Sequence, residues 1–261
     1  MPAAFVGHGT PMNALERNRY TDAWRALAAA MPRPRTIHDF FGFPDELFAV
    51  EYPAPGSPDV AAEVVRVASP TWVGLDHDSW GIDHGTWSVL CHMYPRADIP
   101  VVQLSIDAGK PFEYHLELGE RLAPLREQGV LVLGSGNVVH NLRRMDPSRP
   151  RSGFDWAERF ERDSRAILTE DPRSILSLSS HPDFKLAAPT PDHYLPVVFI
   201  AGLAGEAKAA LDVVVDGYAY GSLSMTAYSL GVRAQPSNRD DVASPGEIPD
   251  PAVVPLESTN L

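Results

Sequence analysis

Cysteine is nearly absent from this chain, since Cys91 is the single one among 261 residues. An intramolecular disulfide and any zinc site built from several cysteines are therefore excluded. The sequence also lacks an apolar run of membrane-spanning length, and its first residues lack the basic and apolar regions of a secretory signal. These absences predict a soluble protein of a reducing, cytoplasmic compartment, with no membrane partner.

Positive charge is also scarce, because 22 Lys and Arg residues face 34 Asp and Glu residues, for a net charge of −12. Such a chain does not attract a phosphate backbone, so nucleic-acid binding is not expected. No Gly-x-Gly-x-x-Gly follows the first apolar strand, and no Walker A sequence occurs. Gly134-Ser135-Gly136 is not the Gly-x-Ser-x-Gly of a nucleophile elbow, which leaves a serine hydrolase weakly supported.

Apolar strand patterns alternate with helical ones, which predicts a single α/β domain with a mostly parallel or mixed central sheet and helices on both faces. The predicted strands cover 3–6, 72–75, 101–106, 130–133, 213–215 and 224–230. The predicted helices cover 21–31, 58–68, 87–94, 113–127, 156–168, 171–178 and 193–203. Residues 233–261 contain five prolines and no periodicity, so we expect a domain over 1–232 followed by a disordered tail.

Three of the nine histidines occupy junctions between predicted elements. His8 follows the first strand between two glycines, His140 follows the apolar run 130–133, and His193 begins a helix. Ligands of open α/β sheets gather at the carboxyl ends of the strands. Three imidazoles from distant parts of the chain therefore predict a catalytic metal site.

Taken alone, each histidine favours a structural or surface role. We expect such a role for four of them, with His181 at the surface: His77, His92, His115 and His181. The pair Asp83-His84 fits either a helix N-cap or the wall of a pocket. A metal with imidazole ligands and open coordination positions serves either hydrolysis or activation of O₂. A separate, unligated histidine then suits the role of general base.

Seven motifs occur in one order along the chain and together carry a family resemblance. They resemble the class III extradiol ring-cleavage dioxygenases, in particular the branch called 4,5-DOPA dioxygenase extradiol. The resemblance extends over residues 2 to about 232, and it implies a central mixed sheet with helices on both faces. The motifs lie at 7–13, 36–40, 52–56, 83–87, 136–142, 190–196 and 221–225.

The resemblance also implies a divalent metal held by His8, by a histidine of a Ser-Ala-His-Trp segment, and by His193. His140 would lie beside the metal as an acid/base or a further ligand, while His38 and His84 would border the substrate pocket. Fe(II) is implied for cleavage of a catechol by O₂, and Zn(II) is the metal implied on isolation. In this mechanism His140 removes a proton from the catechol and later returns one.

One motif of the family is missing from this chain. The Ser-Ala-His-Trp segment, on a strand that would fall between Arg35 and Thr36, is absent from the sequence. Its loss removes one imidazole ligand and leaves the neighbouring strands with unpaired backbone groups. His38 lies at the deletion point and is a candidate substitute ligand.

Three functions are consistent with these residues. The first is a metal-dependent extradiol dioxygenase, impaired by the loss of one ligand. The second is a relative that binds metal without catalysis. The third is a zinc-dependent hydrolase, although the chain has no His-Glu-x-x-His sequence to supply a general base.

Overall fold

The computed structural model describes residues 1–28, 45–76 and 81–232. Four of its strands form one sheet in the order β2-β1-β6-β3, and β4 and β5 form a separate antiparallel pair. The strands are β1 (Ala3–Gly7), β2 (Val132–Gly136), β3 (Asp212–Val215), β4 (Tyr218–Ala219), β5 (Leu223–Ser224) and β6 (Ala227–Leu230).

The helices of the described ranges lie against both faces of this sheet. They are α1 (Arg19–Ala28), α2 (Asp45–Phe48), α3 (Pro58–Ala68), α4 (His84–Met93), α5 (Phe112–Leu122), α6 (Pro124–Glu127), α7 (Asp155–Glu170), α8 (Phe184–Ala187) and α9 (Leu195–Glu206). Short 3-10 helices cover Pro11–Ala14, Leu142–Arg144 and Pro172–Ser180. None of the helices within the described ranges has the length and apolarity needed to cross a bilayer.

Strand β1 is buried along its whole length and separates two apolar cores. Ala3 and Phe5 pack in a core that includes Phe160 of α7. Ala4 and Val6 point to the other face, in a core that also contains side chains of α1 and α4. This alternation is the two-residue period of a strand buried on both faces, and it confirms the prediction of helices on both sides.

The sheet is mixed. Strand β1 runs parallel to β2 and antiparallel to β6, and β6 runs antiparallel to β3. The fold class predicted from the alternating pattern is therefore confirmed, with the parallel pairing confined to β1 and β2 among the strands described.

Two predicted strands do not join the described sheets. Among the described residues, 72–75 have no ladder partner, and 101–106 make one isolated parallel bridge, between Val101 and Gly56. The prediction of strands there was wrong because an apolar extended segment becomes a strand only beside another strand edge. Residues 101–106 instead line a cavity whose opposite wall is β2.

Two predicted helices occur at nearly the predicted positions but in a different form. The predicted helix over 113–127 is divided into α5 and α6 at Pro124, which lacks the N–H needed to continue a helix. The predicted helix over 171–178 is a 3-10 helix. The predicted deletion point at 35/36 and the predicted tail over 233–261 lie outside the described residues.

Candidate active site

The candidate site begins where the two parallel strands end side by side. Gly7 of β1 is in register with Gly136 of β2. One residue further on, the backbone N–H of His8 donates to the carbonyl of Gly136, with an N···O distance of 3.2 Å. The parallel pairing thus places His8 at the carboxyl edge of the sheet, beside the end of β2.

A serine hydroxyl fixes the tautomer of His8. The Nδ1 atom of His8 lies 3.0 Å from Oγ of Ser135, and that hydroxyl donates its hydrogen to the backbone carbonyl of Gly85. A hydroxyl has one hydrogen to donate, so Ser135 accepts from an Nδ1–H of His8. The lone pair of His8 therefore lies on Nε2, which leaves this nitrogen available to a metal ion.

A close backbone contact brings His193 to the same edge. The N–H of Asn137 donates to the carbonyl of His193 at 2.8 Å. A Cβ on Gly136 would lie 2.2 Å from that same oxygen, so only glycine allows this approach. The imidazole of His193 then lies 5.3 Å from that of His8, measured between ring centroids.

A carboxylate holds His193 in the equivalent tautomer. Oδ2 of Asp192 lies 2.6 Å from Nδ1 of His193, which again leaves Nε2 with the lone pair. Burial raises the pKa of Asp192, but its hydrogen bonds, the largest of them with His193 and another with Thr190, contribute to a pKa below the ordinary value. A carboxylate behind a histidine is a common support of metal-binding imidazoles.

Both interpretations of the Asp83-His84 pair hold. Asp83 is the N-cap of α4, since its side chain accepts from the backbone N–H of Thr86 at 3.0 Å. His84 occupies the first position of the helix, with its ring 6.1 Å from that of His8, and it lines the cavity. The cap therefore sets the position of a pocket-lining histidine.

His140 completes the cluster by stacking on His193. Its backbone N–H donates to the carbonyl of Ala187 at 2.7 Å, and it forms an isolated bridge with Leu223 of β5. The rings of His140 and His193 are parallel within 3°, and their centroids are 3.6 Å apart. Two distant segments, 137–140 and 193–195, thus meet in one buried stack.

The surroundings of His8 and His140 favour the neutral form of these two imidazoles. Burial lowers the pKa of His8 well below 6.5, and the neighbouring His193 and His84 lower it further. Burial also lowers the pKa of His140 well below 6.5, and so do His193, His8 and His84. A neutral imidazole is the form that binds a metal or accepts a proton.

Comparison with known proteins identifies the family. The sequence profile of the family described as the catalytic LigB subunit of aromatic ring-opening dioxygenase matches residues 21–231. This chain belongs to the LigB family. The resemblance inferred from the seven motifs is thereby confirmed, and membership of this family indicates an enzyme.

Individual members of the LigB family are also similar to this chain. It is 42% identical over 258 aligned positions to the 4,5-DOPA dioxygenase extradiol of Escherichia coli K12, covering 88% of this chain and 95% of that protein. It is 32% identical to the protein of the same name from Beta vulgaris, over 87% of this chain and 95% of the relative. The crystal structure of an uncharacterized protein from Escherichia coli K12 matches with a TM-score of 0.75 and 40% identity, over 88% of this chain and all of that one.

Extradiol dioxygenases of the LigB family are metal-dependent, and the described residues of this chain fit a metal ion only in part. His8 and His193 present Nε2 lone pairs and have partners that fix their tautomers. In the described ranges no group of three His, Cys, Asp or Glu side chains forms a metal-holding set. In this conformation the stack keeps the lone pairs of His140 and His193 in separate parallel planes, so the three predicted ligands do not converge on one point.

The remaining predicted residues have other surroundings. His38, predicted as a pocket residue, and His77 lie outside the described residues. His92 is buried and contacts the backbone carbonyl of Asn13, which fits a structural role. His115 is buried between Tyr114 and Phe199.

The expectation of a surface position for His181 was wrong, because the ring packs on an apolar core. It lies edge-on against Phe160, with 5.2 Å between ring centroids. Its Nδ1 accepts from the backbone N–H of Asp183, and its Nε2 lies 3.1 Å from the carboxylate of Asp163. These contacts give it a structural role, apart from the four-histidine cluster.

Two supporting residues were not predicted from the sequence. Ser135 was considered only as a possible nucleophile, and Asp192 only as part of the motif over 190–196. The signal for Asp192 was its adjacency to a candidate ligand. The signal for Ser135 was its place at the end of the strand that was expected to pair with β1. Its contact with His8 could be recognised only once the register of the two strands was known.

Proposed function

We propose that this chain is an extradiol ring-cleaving dioxygenase whose substrates are a catechol, of the DOPA type, and O₂. In this reaction the ring bond next to the diol breaks, and both atoms of O₂ enter the ring-opened product. The names of the Escherichia coli and Beta vulgaris relatives support the choice of substrate. The single cysteine supports a cytoplasmic location.

The observation that carries the proposal is the pair His8 and His193, each with its Nδ1 atom engaged and its Nε2 atom available. These two residues would hold the ion. Fe(II), when bound, supplies the redox chemistry that joins the catechol and O₂. Zn(II), the metal expected on isolation, has no redox chemistry, so the zinc form would not open the ring.

His140 has the position and the protonation state of the acid/base. It is neutral at pH 7 because burial and the surrounding histidines lower its pKa, so it can accept a proton from a catechol hydroxyl. The stack with His193 keeps its ring within the cluster and holds that proton close to the reacting atoms until it is returned. His84 on the cavity wall, together with His38, would contact the substrate ring.

The experiment is ring cleavage under controlled metal loading. The protein is loaded with Fe(II) without oxygen, mixed with L-DOPA, and then exposed to O₂. We expect oxygen uptake and a yellow ring-opened product with the iron form and neither with the zinc form. Absence of oxygen uptake with L-DOPA and with simpler catechols would reject the activity for this chain.

Single histidine variants separate the assigned roles. His140→Ala should abolish turnover and retain metal, whereas His8→Ala should lower metal content, measured by elemental analysis. His181→Ala is the matched control, because it removes a partly buried imidazole outside the cluster. Full turnover in His140→Ala would contradict its role as acid/base, and an unchanged metal content in His8→Ala would contradict its role as ligand.

A second candidate is a metal-binding protein without catalysis. The observation that favours it is that the described residues provide two well-supported imidazoles and no group of three donors. Stoichiometric retention of metal together with no turnover of any catechol would favour this second candidate.

The domain organisation belongs to the same proposal: a catalytic domain over 1–232, a tail over 233–261, and a missing segment between Arg35 and Thr36. The alignment with the Escherichia coli relative supports an internal gap. It has 258 positions, whereas 88% of 261 residues is about 230, so about 28 positions have no residue from this chain. Sequencing the encoding gene across codons 35 and 36 tests whether the segment is encoded.

A further inference from the structure

A cavity of about 640 Å³ separates two extended segments of the chain. One wall is residues 129–135, which include most of β2, and the other is residues 99–106. Among the described strands, β2 is the last of its sheet, and its residues 132–135 are only half-buried, although its neighbour β1 is completely buried. The cavity therefore begins where the described sheet stops.

The outer edge of β2 directs backbone groups into this cavity. The carbonyl of Gly136 accepts from His8, so the backbone groups of Gly136 face β1. Because these groups alternate in direction along a strand, those of Leu133 and Ser135 face the opposite side, which is the cavity. Within the described ranges, no backbone hydrogen bond joins Leu133 or Ser135 to a segment on that side.

Residues 102–106, on the opposite wall, belong to neither of the described sheets. The N–H of the preceding residue, Val101, donates to the carbonyl of Pro55 at 2.9 Å. Val102 and Leu104 line the cavity, and neither residue has a backbone hydrogen-bond partner among those described. Within the described ranges, the outer edge of β2 and a segment without backbone partners thus lie on opposite sides of one space.

The size and lining of the space fit a short strand. With ~3.3 Å of rise, ~4.8 Å between strands and ~10 Å between packed layers, one strand residue fills on the order of 160 Å³. The volume of about 640 Å³ includes the part of the cavity beside His8 and His193, so the space holds at most about four residues. Val64 of α3, Leu122 of α5 and Phe199 of α9 are among the apolar side chains that line it.

We propose that this space is an acceptor site for an extended apolar peptide, which binds by adding a strand between β2 and residues 101–106. A polypeptide is the occupant whose chemistry matches both walls, because its backbone offers donors and acceptors on two opposite sides. The apolar side chains of the peptide would pack against the apolar side chains of α3, α5 and α9 that line the cavity. This space is part of the cavity that His8, His84 and His193 also line, but binding of the peptide requires no metal and no catalytic activity.

The first test uses a capped hexapeptide with four consecutive valine or isoleucine residues between two lysines, titrated into the full chain. Its control has the same sequence with two of the central amides N-methylated, which keeps the apolar surface and removes two donors. We expect the unmodified peptide to bind about tenfold more tightly or better, because two backbone hydrogen bonds are lost in the control. Equal affinities would show simple apolar binding and overturn the proposal.

The second test is amide hydrogen exchange with and without the peptide. The amides of Val102, Leu104, Leu133 and Ser135 should exchange rapidly in the free protein and about tenfold more slowly or more in the complex. Slow exchange of all four in the free protein would mean that another part of the chain fills the space. That result would also overturn the proposal.

A matched pair of variants tests the wall itself. Val102→Pro removes one backbone donor from the cavity wall, whereas Val102→Ala removes most of the same side chain and keeps the donor. Peptide affinity should fall several-fold in the first variant relative to the second, with similar melting temperatures. The same affinity in both variants would refute the assignment of this edge.

Discussion

The hydroxyl of Ser135 should control the metal affinity of His8. In Ser135→Ala the Nδ1–H of His8 loses its acceptor at a buried position, where an unsatisfied donor costs about 1–3 kcal/mol. The imidazole avoids part of this cost by moving its hydrogen to Nε2, but that change occupies the nitrogen assigned to the metal. Either outcome weakens binding, and loss of such a supporting hydrogen bond typically weakens metal binding about 10–100-fold.

Two measurements check this prediction. Competition between the protein and a chromogenic chelator for Zn(II) gives the affinity, and ¹⁵N-edited NMR of the imidazoles gives the tautomer of His8, assigned with His8→Ala. Ser164→Ala is the control, because Ser164 is buried in α7, outside the histidine cluster, and its hydroxyl donates to the carbonyl of Phe160. An unchanged affinity and tautomer in Ser135→Ala would refute the assignment of Nε2 as the ligand atom.

Three further predictions concern metal binding by the site and the stability of the fold. Asp192→Ala should weaken metal binding about 10–100-fold in the same chelator competition, and Asp192→Asn should do so less, because its amide oxygen still accepts from His193. Burial raises the pKa of the Glu161 carboxyl group. The folded protein therefore keeps the carboxyl proton at a pH where the unfolded chain has lost it. As a result, the free energy of unfolding falls as the pH rises above about 4.5. Thermal melts from pH 4.5 to 8 should show this fall in the parent and a smaller one in Glu161→Gln; parallel profiles would contradict the argument. Gly202→Ala should lower the free energy of unfolding by about 1–3 kcal/mol in urea titrations, because its Cβ would lie 2.1 Å from the carbonyl of Leu116.

The sequence was sufficient to predict the two parallel strands at the site. The unbroken apolar character of 3–6 and 130–133 predicted two strands, and the position of His8 and His140 just after them predicted their common edge. The register was not predictable, because a period of two does not say which residue of β2 lies beside Gly7. The support of His8 by Ser135 therefore appeared only in the structure.

The segment 101–106 is a case in which the sequence was not sufficient to predict the structure. Its apolar character is that of a strand, but pairing depends on a neighbouring edge that the segment itself does not encode. The stack of His140 on His193 was equally invisible, since it results from a carbonyl contact at Gly136 that is specified by the absence of a side chain. Both results depend on distant parts of the chain.

The central position of β1 has a consequence for the order in which the protein folds. Its partners are β2 and β6, and Ala3 pairs with both Val132 and Leu230. On the ribosome, the first strand made cannot complete its hydrogen bonds until almost all of residues 1–232 has been synthesised. Contacts between such distant residues are slow to form, so His8 should reach its place among the other histidines late in folding.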